Sequence, residues 1–207
     1  MSRTKQEKVE RRFLQEKYLN VRHAVQGPQS FTVVLDHLKP DFNVGKIFRT
    51  ADAFGAREIC LIGMTWFDPS PAVGSFKHIT THFFKTFAEC HAHLKAQGLA
   101  MYRLEPEHGA LLTEGEIAKD CALILGNEGI GHSFKREDFP DVLSLRIPQW
   151  GRAQSLNVSV AAAVAMYEHC RRWGGAAPEV VVKPDRLRDK HPSGPRQRNA
   201  EATQGRL

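Results

Sequence analysis

No run of apolar residues in this sequence approaches the roughly 18 that a membrane-spanning helix requires. Its opening, MSRTKQEKVERR, sets positive charge ahead of no apolar stretch, so no secretory signal is expected. Cysteine is sparse: Cys60, Cys90, Cys121 and Cys170 lie far apart and form no Cys-x-x-Cys pair. That spacing suggests neither a zinc site nor a disulfide framework, and a reducing cytoplasm fits it. Gly-x-Gly-x-x-Gly and Gly-Lys-Ser/Thr are both missing, which removes the dinucleotide fingerprint and the Walker loop. Ten histidines are present, among them His78, His82, His91 and His93. No pair of them stands with carboxylates at a ligand spacing, so surface or core positions and no metal are expected.

What remains is a chain of 207 residues, 42% hydrophobic and 25% charged. That length and composition suit one domain with extensions and a substantial core. The net charge of +6 is divided unevenly. Residues 1–30 hold seven Lys/Arg against three Asp/Glu, and residues 171–207 hold nine against four. The middle, 31–170, holds thirteen against sixteen. Basic arms around a near-neutral body suit a binder of phosphate backbones, and they also suit solubilising termini.

Hydrophobic periodicity predicts a charged amphipathic helix over 3–25, stopped by Gly27-Pro28. Strands are expected at Phe31–Leu35, Glu58–Ile62, Ile79–Phe84, Leu99–Leu104, Cys121–Leu125 and Val142–Ile147. Helices are expected at Asn43–Phe54, Thr86–Gln97 and Ser155–Arg172. The reading divides the chain into a basic helical extension (1–29), a body (30–173) and a basic tail (174–207) of increasingly disorder-like composition. Alternating strands and helices give an α/β fold, a mostly parallel sheet flanked by helices. In such sheets ligands bind beyond the carboxyl ends of the strands. That rule points to the loops after Leu35, Leu125 and Ile147.

Each of these loops carries a polar cluster. The first holds Asn43 and, two turns along the same helix, Arg49. Asn43 reads as a helix cap and Arg49 equally as a surface arginine. The second is Leu125-Gly126-Asn127-Glu128-Gly129-Ile130-Gly131, whose glycines let backbone approach a ligand or simply make a tight turn. The third, Ile147–Ser159, runs IPQWGRAQSLNVS into a helix rich in Ala and Val. Ser155 and Asn157 there serve as caps or as something more.

In this order the three clusters resemble the motifs of the SpoU-type branch of the SPOUT RNA methyltransferases. Those motifs are an Asn with a Gly two residues on and an Arg six residues on, a Gly-x-Glu-x-x-Gly loop, and Ile-Pro followed by Ser-Leu-Asn-Val-Ser-x-Ala. All three are intact here at Asn43–Gly55, Gly126–Gly131 and Ile147–Ala161, and the resemblance covers about residues 30–172. The short body with basic helical ends looks most like the tRNA guanosine 2′-O-methyltransferases of the branch.

The resemblance implies a sheet whose C-terminal part is threaded as a deep trefoil knot, S-adenosylmethionine as cofactor, a homodimer, and methylation of a ribose 2′-hydroxyl. It implies tRNA ahead of ribosomal RNA as partner. By position, Leu125, Gly126, Asn127, Gly131, Ile147 and Leu156 would hold the cofactor. Arg49, Asn43, Glu128, Ser155 and Asn157 would carry the reaction. The competing readings are a ribosomal RNA 2′-O-methyltransferase and a non-catalytic RNA-binding protein on the same scaffold.

Overall fold

β-Branched and aromatic runs make the central strands, and their burial on both sides is the mark of a parallel sheet. The computed structural model describes residues 3–176; the basic tail read over 174–207 therefore lies, past its first three residues, outside the described residues. Seven strands form one all-parallel sheet: β1 Phe31–Asp36, β2 Glu58–Ile62, β3 Thr81–Phe84, β4 Ala100–Leu104, β5 Ala110–Leu111, β6 Cys121–Leu125 and β7 Val142–Arg146. Their order across the sheet is β3-β2-β1-β6-β4-β7-β5. The α/β class and parallel sheet expected from the sequence are thus observed.

Alternation along the strands feeds two cores. Phe31, Val33 and Leu35 of β1, with Leu123 and Leu125 of β6, point to one face. Val34, Cys60, Ile62, Ala122 and Ile124 point to the other. The first face is covered by α1 (Arg3–His23), α2 (Phe42–Phe54) and α4 (Val158–Trp173), which contribute Phe13, Phe48 and Met166. The second is covered by α3 (Phe87–Ala96) through Phe87, Cys90 and Leu94. The helix expected as a basic extension is bound into the first core. Phe13 is buried at 2% exposure, with its ring centroid 5.3 Å from Phe67 and 5.7 Å from Phe76. Asn20 anchors the same helix by donating to the carbonyl of Ile79 at 2.7 Å.

Two helix caps and one short strand depart from expectation. Asp41, not Asn43, caps α2; its extended backbone lets its carboxylate accept the N–H of Asn43 at 3.1 Å. A carboxylate one residue before the helix outcompetes an amide within it. The last helix starts at Val158 rather than Ser155, because Asn157 accepts from the N–H of Ser159 and so fixes the cap there. The two-residue strand β5 has too short a pattern to be read in sequence. At the other end of α2, Gly55 takes a left-handed φ of 70°, as its expected role as terminator requires. All four cysteines are free, and no helix of the described residues is long and apolar enough to cross a membrane.

Candidate active site

β6 ends at Leu125, and the chain turns at once into a narrow loop closed by two backbone bonds. Asn127 N–H donates to the Gly131 carbonyl (2.8 Å), and Gly131 N–H donates back to Asn127 (2.9 Å). The Asn127 side chain staples the same loop from within. Its Oδ1 accepts from the N–H groups of Gly129 (2.8 Å) and Ile130 (3.2 Å), while its Nδ2 donates to the His37 carbonyl at 2.7 Å. Glycine is needed at 126 because a Cβ there would stand 2.8 Å from the Gly131 backbone.

A second brace comes from β1. Asp36, fully buried at the end of that strand, accepts from Ser133 N–H and from Ser133 Oγ–H, both at 2.7 Å. Its Oδ1 also lies 2.8 Å from His37 Nδ1. His132 turns inward between these residues. Its Nε2 sits 3.1 Å from the Leu104 carbonyl and must donate, so its buried Nδ1 carries a lone pair and has no hydrogen-bond partner among the described residues. Burial holds the His132 pKa below the ordinary histidine value, against the opposing pull of the Leu104 carbonyl and of Asp36.

Together these loops wall a cavity of about 540 Å³ beyond the carboxyl ends of β4, β6 and β7. All six positions expected to hold the cofactor line it: Leu125, Gly126, Asn127, Gly131, Ile147 and Leu156. Glu128 and Ser155 line it as well. Sequence reading missed the wall supplied by the loop after β4, Glu105–His108. The carboxyl-end rule applied to Leu104 would have found it. Glu105 there is held by two guanidiniums, Arg103 at 3.1 Å and Arg136 at 3.0 Å.

Asn43, Arg49 and Asn157 do not line the cavity. Freed from capping, Asn43 donates through Nδ2 to Glu128 Oε1 at 2.7 Å and accepts at Oδ1 from Asn157 Nδ2 at 3.3 Å. One hydrogen-bond chain, Glu128–Asn43–Asn157, therefore joins the three motifs at the mouth of the cavity. Arg49 is exposed on α2, with no hydrogen-bond or ion-pair partner among the described residues. The structure thus gathers the second and third motifs into a pocket and ties Asn43 to them, while leaving Arg49 free on the outer surface.

Residues 30–167 match the SpoU rRNA Methylase family. A putative TrmH family tRNA/rRNA methyltransferase of Bacillus subtilis is 30% identical over 152 residues, covering 71% of this chain and 61% of the relative. Among solved structures, the AdoMet-bound rRNA methyltransferase of Sinorhizobium meliloti is 27% identical with a TM-score of 0.61, covering 74% of this chain and 60% of that one. A chain solved for the 2-OH methylation of C/U34 on tRNA is 29% identical with a TM-score of 0.60, covering 72% of this chain and 100% of that one. The chain spans 44% and 61% of the lengths of the first two curated relatives it matches.

Proposed function

The chain belongs to the SpoU rRNA methylase family, and from that premise we propose that it is an S-adenosylmethionine-dependent RNA methyltransferase acting on a ribose 2′-hydroxyl, with tRNA preferred to ribosomal RNA. The observation that carries this reading is the convergence of the second and third motifs on one cavity of about 540 Å³, a size usual for cofactor sites. Leu125, Ile147 and Leu156 offer aliphatic walls for a purine. The carboxylates of Glu107 and Glu128 suit a ligand bearing sulfonium and ammonium charge. The bound cofactor of the Sinorhizobium relative supports the same assignment.

S-Adenosylmethionine supplies an already activated methyl group, so the protein's task is to align the hydroxyl and help it lose a proton. Arg49 is a poor base, since a guanidinium keeps its proton above about pH 12. Its free position suits holding the target phosphate and hydroxyl instead. Asn43 and Glu128 orient the mouth of the pocket, and Ser155 and Asn157 order the segment that enters α4. Because Arg49 stands outside the cavity of a single chain, we assign completion of the site to a homodimer. Exposed Phe42 on α2 and exposed Val160 and Tyr167 on α4 offer it apolar surface. The trefoil threading implied by the resemblance belongs to this proposal. The tRNA preference is supported by the exposed Lys8, Arg11 and Arg22 on α1 and by the tRNA-directed relative.

The test incubates the protein with labelled S-adenosylmethionine and separated tRNA and ribosomal RNA, then looks for alkali-resistant 2′-O-methyl nucleotides. Arg49→Ala is expected to abolish transfer while cofactor binding persists. Near-normal turnover in that variant would remove Arg49 from its role, and RNA binding without any transfer would favour the non-catalytic reading.

A further inference from the structure

At the amino end of β2, opposite the end that carries the pocket, Glu58 is buried at 1% exposure. Spacing along the chain gave no hint of histidines meeting a carboxylate, but the fold brings two to this one. The β2/β3 register sets Cys60 beside His82, placing that ring within reach of Glu58, and α3 brings His93, with Gln97 at its C-cap one turn on, over the same point. His82 Nε2 lies 3.2 Å from Glu58 Oε2, and His93 Nε2 lies 3.1 Å from Glu58 Oε1. One ligand atom from each of the three residues falls within 4.8 Å of the others.

Hydrogen bonds alone do not satisfy this group. A carboxylate only accepts, so His93 Nε2 must donate to Glu58. Yet the same His93 Nε2 is 2.7 Å from Gln97 Nε2, which only donates, and that nitrogen is itself 3.0 Å from Glu58 Oε1. A ring nitrogen cannot present a hydrogen to one neighbour and a lone pair to the other. Turning the Gln97 amide over relieves His93 but sets an amide oxygen against the carboxylate. As placed, Gln97 Oε1 is buried without a partner.

A divalent cation resolves both conflicts at once. It takes the two imidazole lone pairs, a Glu58 oxygen and, with the amide turned, the oxygen of Gln97. The 3.1 Å from His93 Nε2 to Glu58 Oε1 comes close to the edge of a tetrahedron, about 3.3–3.5 Å for metal–ligand bonds of about 2.0–2.1 Å, and His82 Nε2 lies 3.2 Å from the other oxygen of the same carboxylate. His82 and His93 are 37% and 27% exposed, which leaves an ion a way in from solvent. We propose that Glu58, His82, His93 and Gln97 form a site for a zinc-like first-row divalent cation, pinning α3 to the β2–β3 edge of the sheet. The role is structural, and it stands independently of the methyltransferase assignment.

The experiment uses the full chain, stripped with a chelator and titrated with Zn²⁺ alone, and in parallel with Co²⁺. One ion per chain, intense tetrahedral Co²⁺ absorption and a Tm that rises with Zn²⁺ are expected. His82→Asn and His93→Asn should each weaken Zn²⁺ binding at least tenfold, with circular dichroism checking that each variant is folded. His91→Asn, which alters a largely buried histidine of the same helix paired with Asp141, should leave it unchanged. Gln97→Glu adds a charged ligand and should tighten binding, whereas a purely hydrogen-bonded cluster would gain only repulsion beside Glu58. Absence of one-to-one binding, or binding lost with His91 and kept without His82 and His93, overturns the proposal. So does a folded Gln97→Glu protein that binds Zn²⁺ no better than wild type.

Discussion

Asp36 and Glu58 are carboxylates on neighbouring strands, each almost wholly removed from water, and they sit at opposite ends of the sheet. Asp36 closes β1 and Glu58 opens β2. Around Asp36 the donors agree: a backbone N–H, a hydroxyl and an imidazole all point at a group that can only accept. Around Glu58 two imidazoles and an amide crowd together with incompatible hydrogens. The same buried charge therefore does two jobs. At the carboxyl end it fixes the loop that follows Gly131 and so shapes the cavity. At the amino end it holds a helix to the sheet and has no part in the cavity.

Substitution separates these roles most sharply. Asp36→Ala takes the shared acceptor from the Ser133 N–H, the Ser133 hydroxyl and the His37 ring, at about 0.5–1.5 kcal/mol for each bond lost. It is expected to lower the Tm and to weaken S-adenosylmethionine binding more than tenfold by calorimetry. Glu58→Ala should lower the Tm comparably and leave cofactor affinity within twofold of wild type. Equal losses of affinity in the two variants would break the comparison.

Next in size is Asn127→Ala, which removes three bonds from the pocket loop but empties no charged site. A loss of about 1–3 kcal/mol and a several-fold weaker cofactor affinity are expected, visible as faster hydrogen exchange at Gly129 and Ile130. Unchanged exchange would mean that the Gly126–Gly131 backbone holds itself.

The smallest effect belongs to Glu168, a buried carboxylate on α4 held by the exposed Arg171 and the largely buried Arg172. Arg171, against burial and with help from Arg172, brings its pKa from 4.5 down to about 2. A depressed carboxyl stabilises the fold above its unfolded pKa and loses that contribution as pH falls through the folded value. The stability gap between wild type and Glu168→Gln should therefore be full above pH 4.5 and close toward pH 2. Arg171 is more than half exposed, so the gap is small even at neutral pH. A gap that persists at pH 2 would place the effect in packing.

The strands, the parallel sheet and the three polar loops were legible because their signals are local. Continuous apolar runs mark strands buried on both faces, and glycine or asparagine at their ends marks turns. All six positions expected to hold the cofactor line the cavity for that reason. The clamp on Ser133 was not legible, since Asp36 lies 97 residues away and is identified only once β1 and β6 pair. The gathering of Glu58, His82 and His93 was hidden in the same way: three elements contribute one ligand each, and only register and helix packing bring them together. Local competition explains the shifted helix starts. Asp41 and Asn157 each took the cap, and the loss of that duty is what left Asn43 free to bridge Glu128 and Asn157.

The strand order also bears on how the chain is made. β1 and β4 are synthesised before β6, yet β6 lies between them, and the partners of β4 are both later in sequence. Until residue 125 has emerged, a growing polypeptide carries two strands with bare edges, the arrangement most open to pairing with other chains. Ribosome-bound fragments ending before β6 are expected to need chaperone shielding, and those ending after α4 to release it.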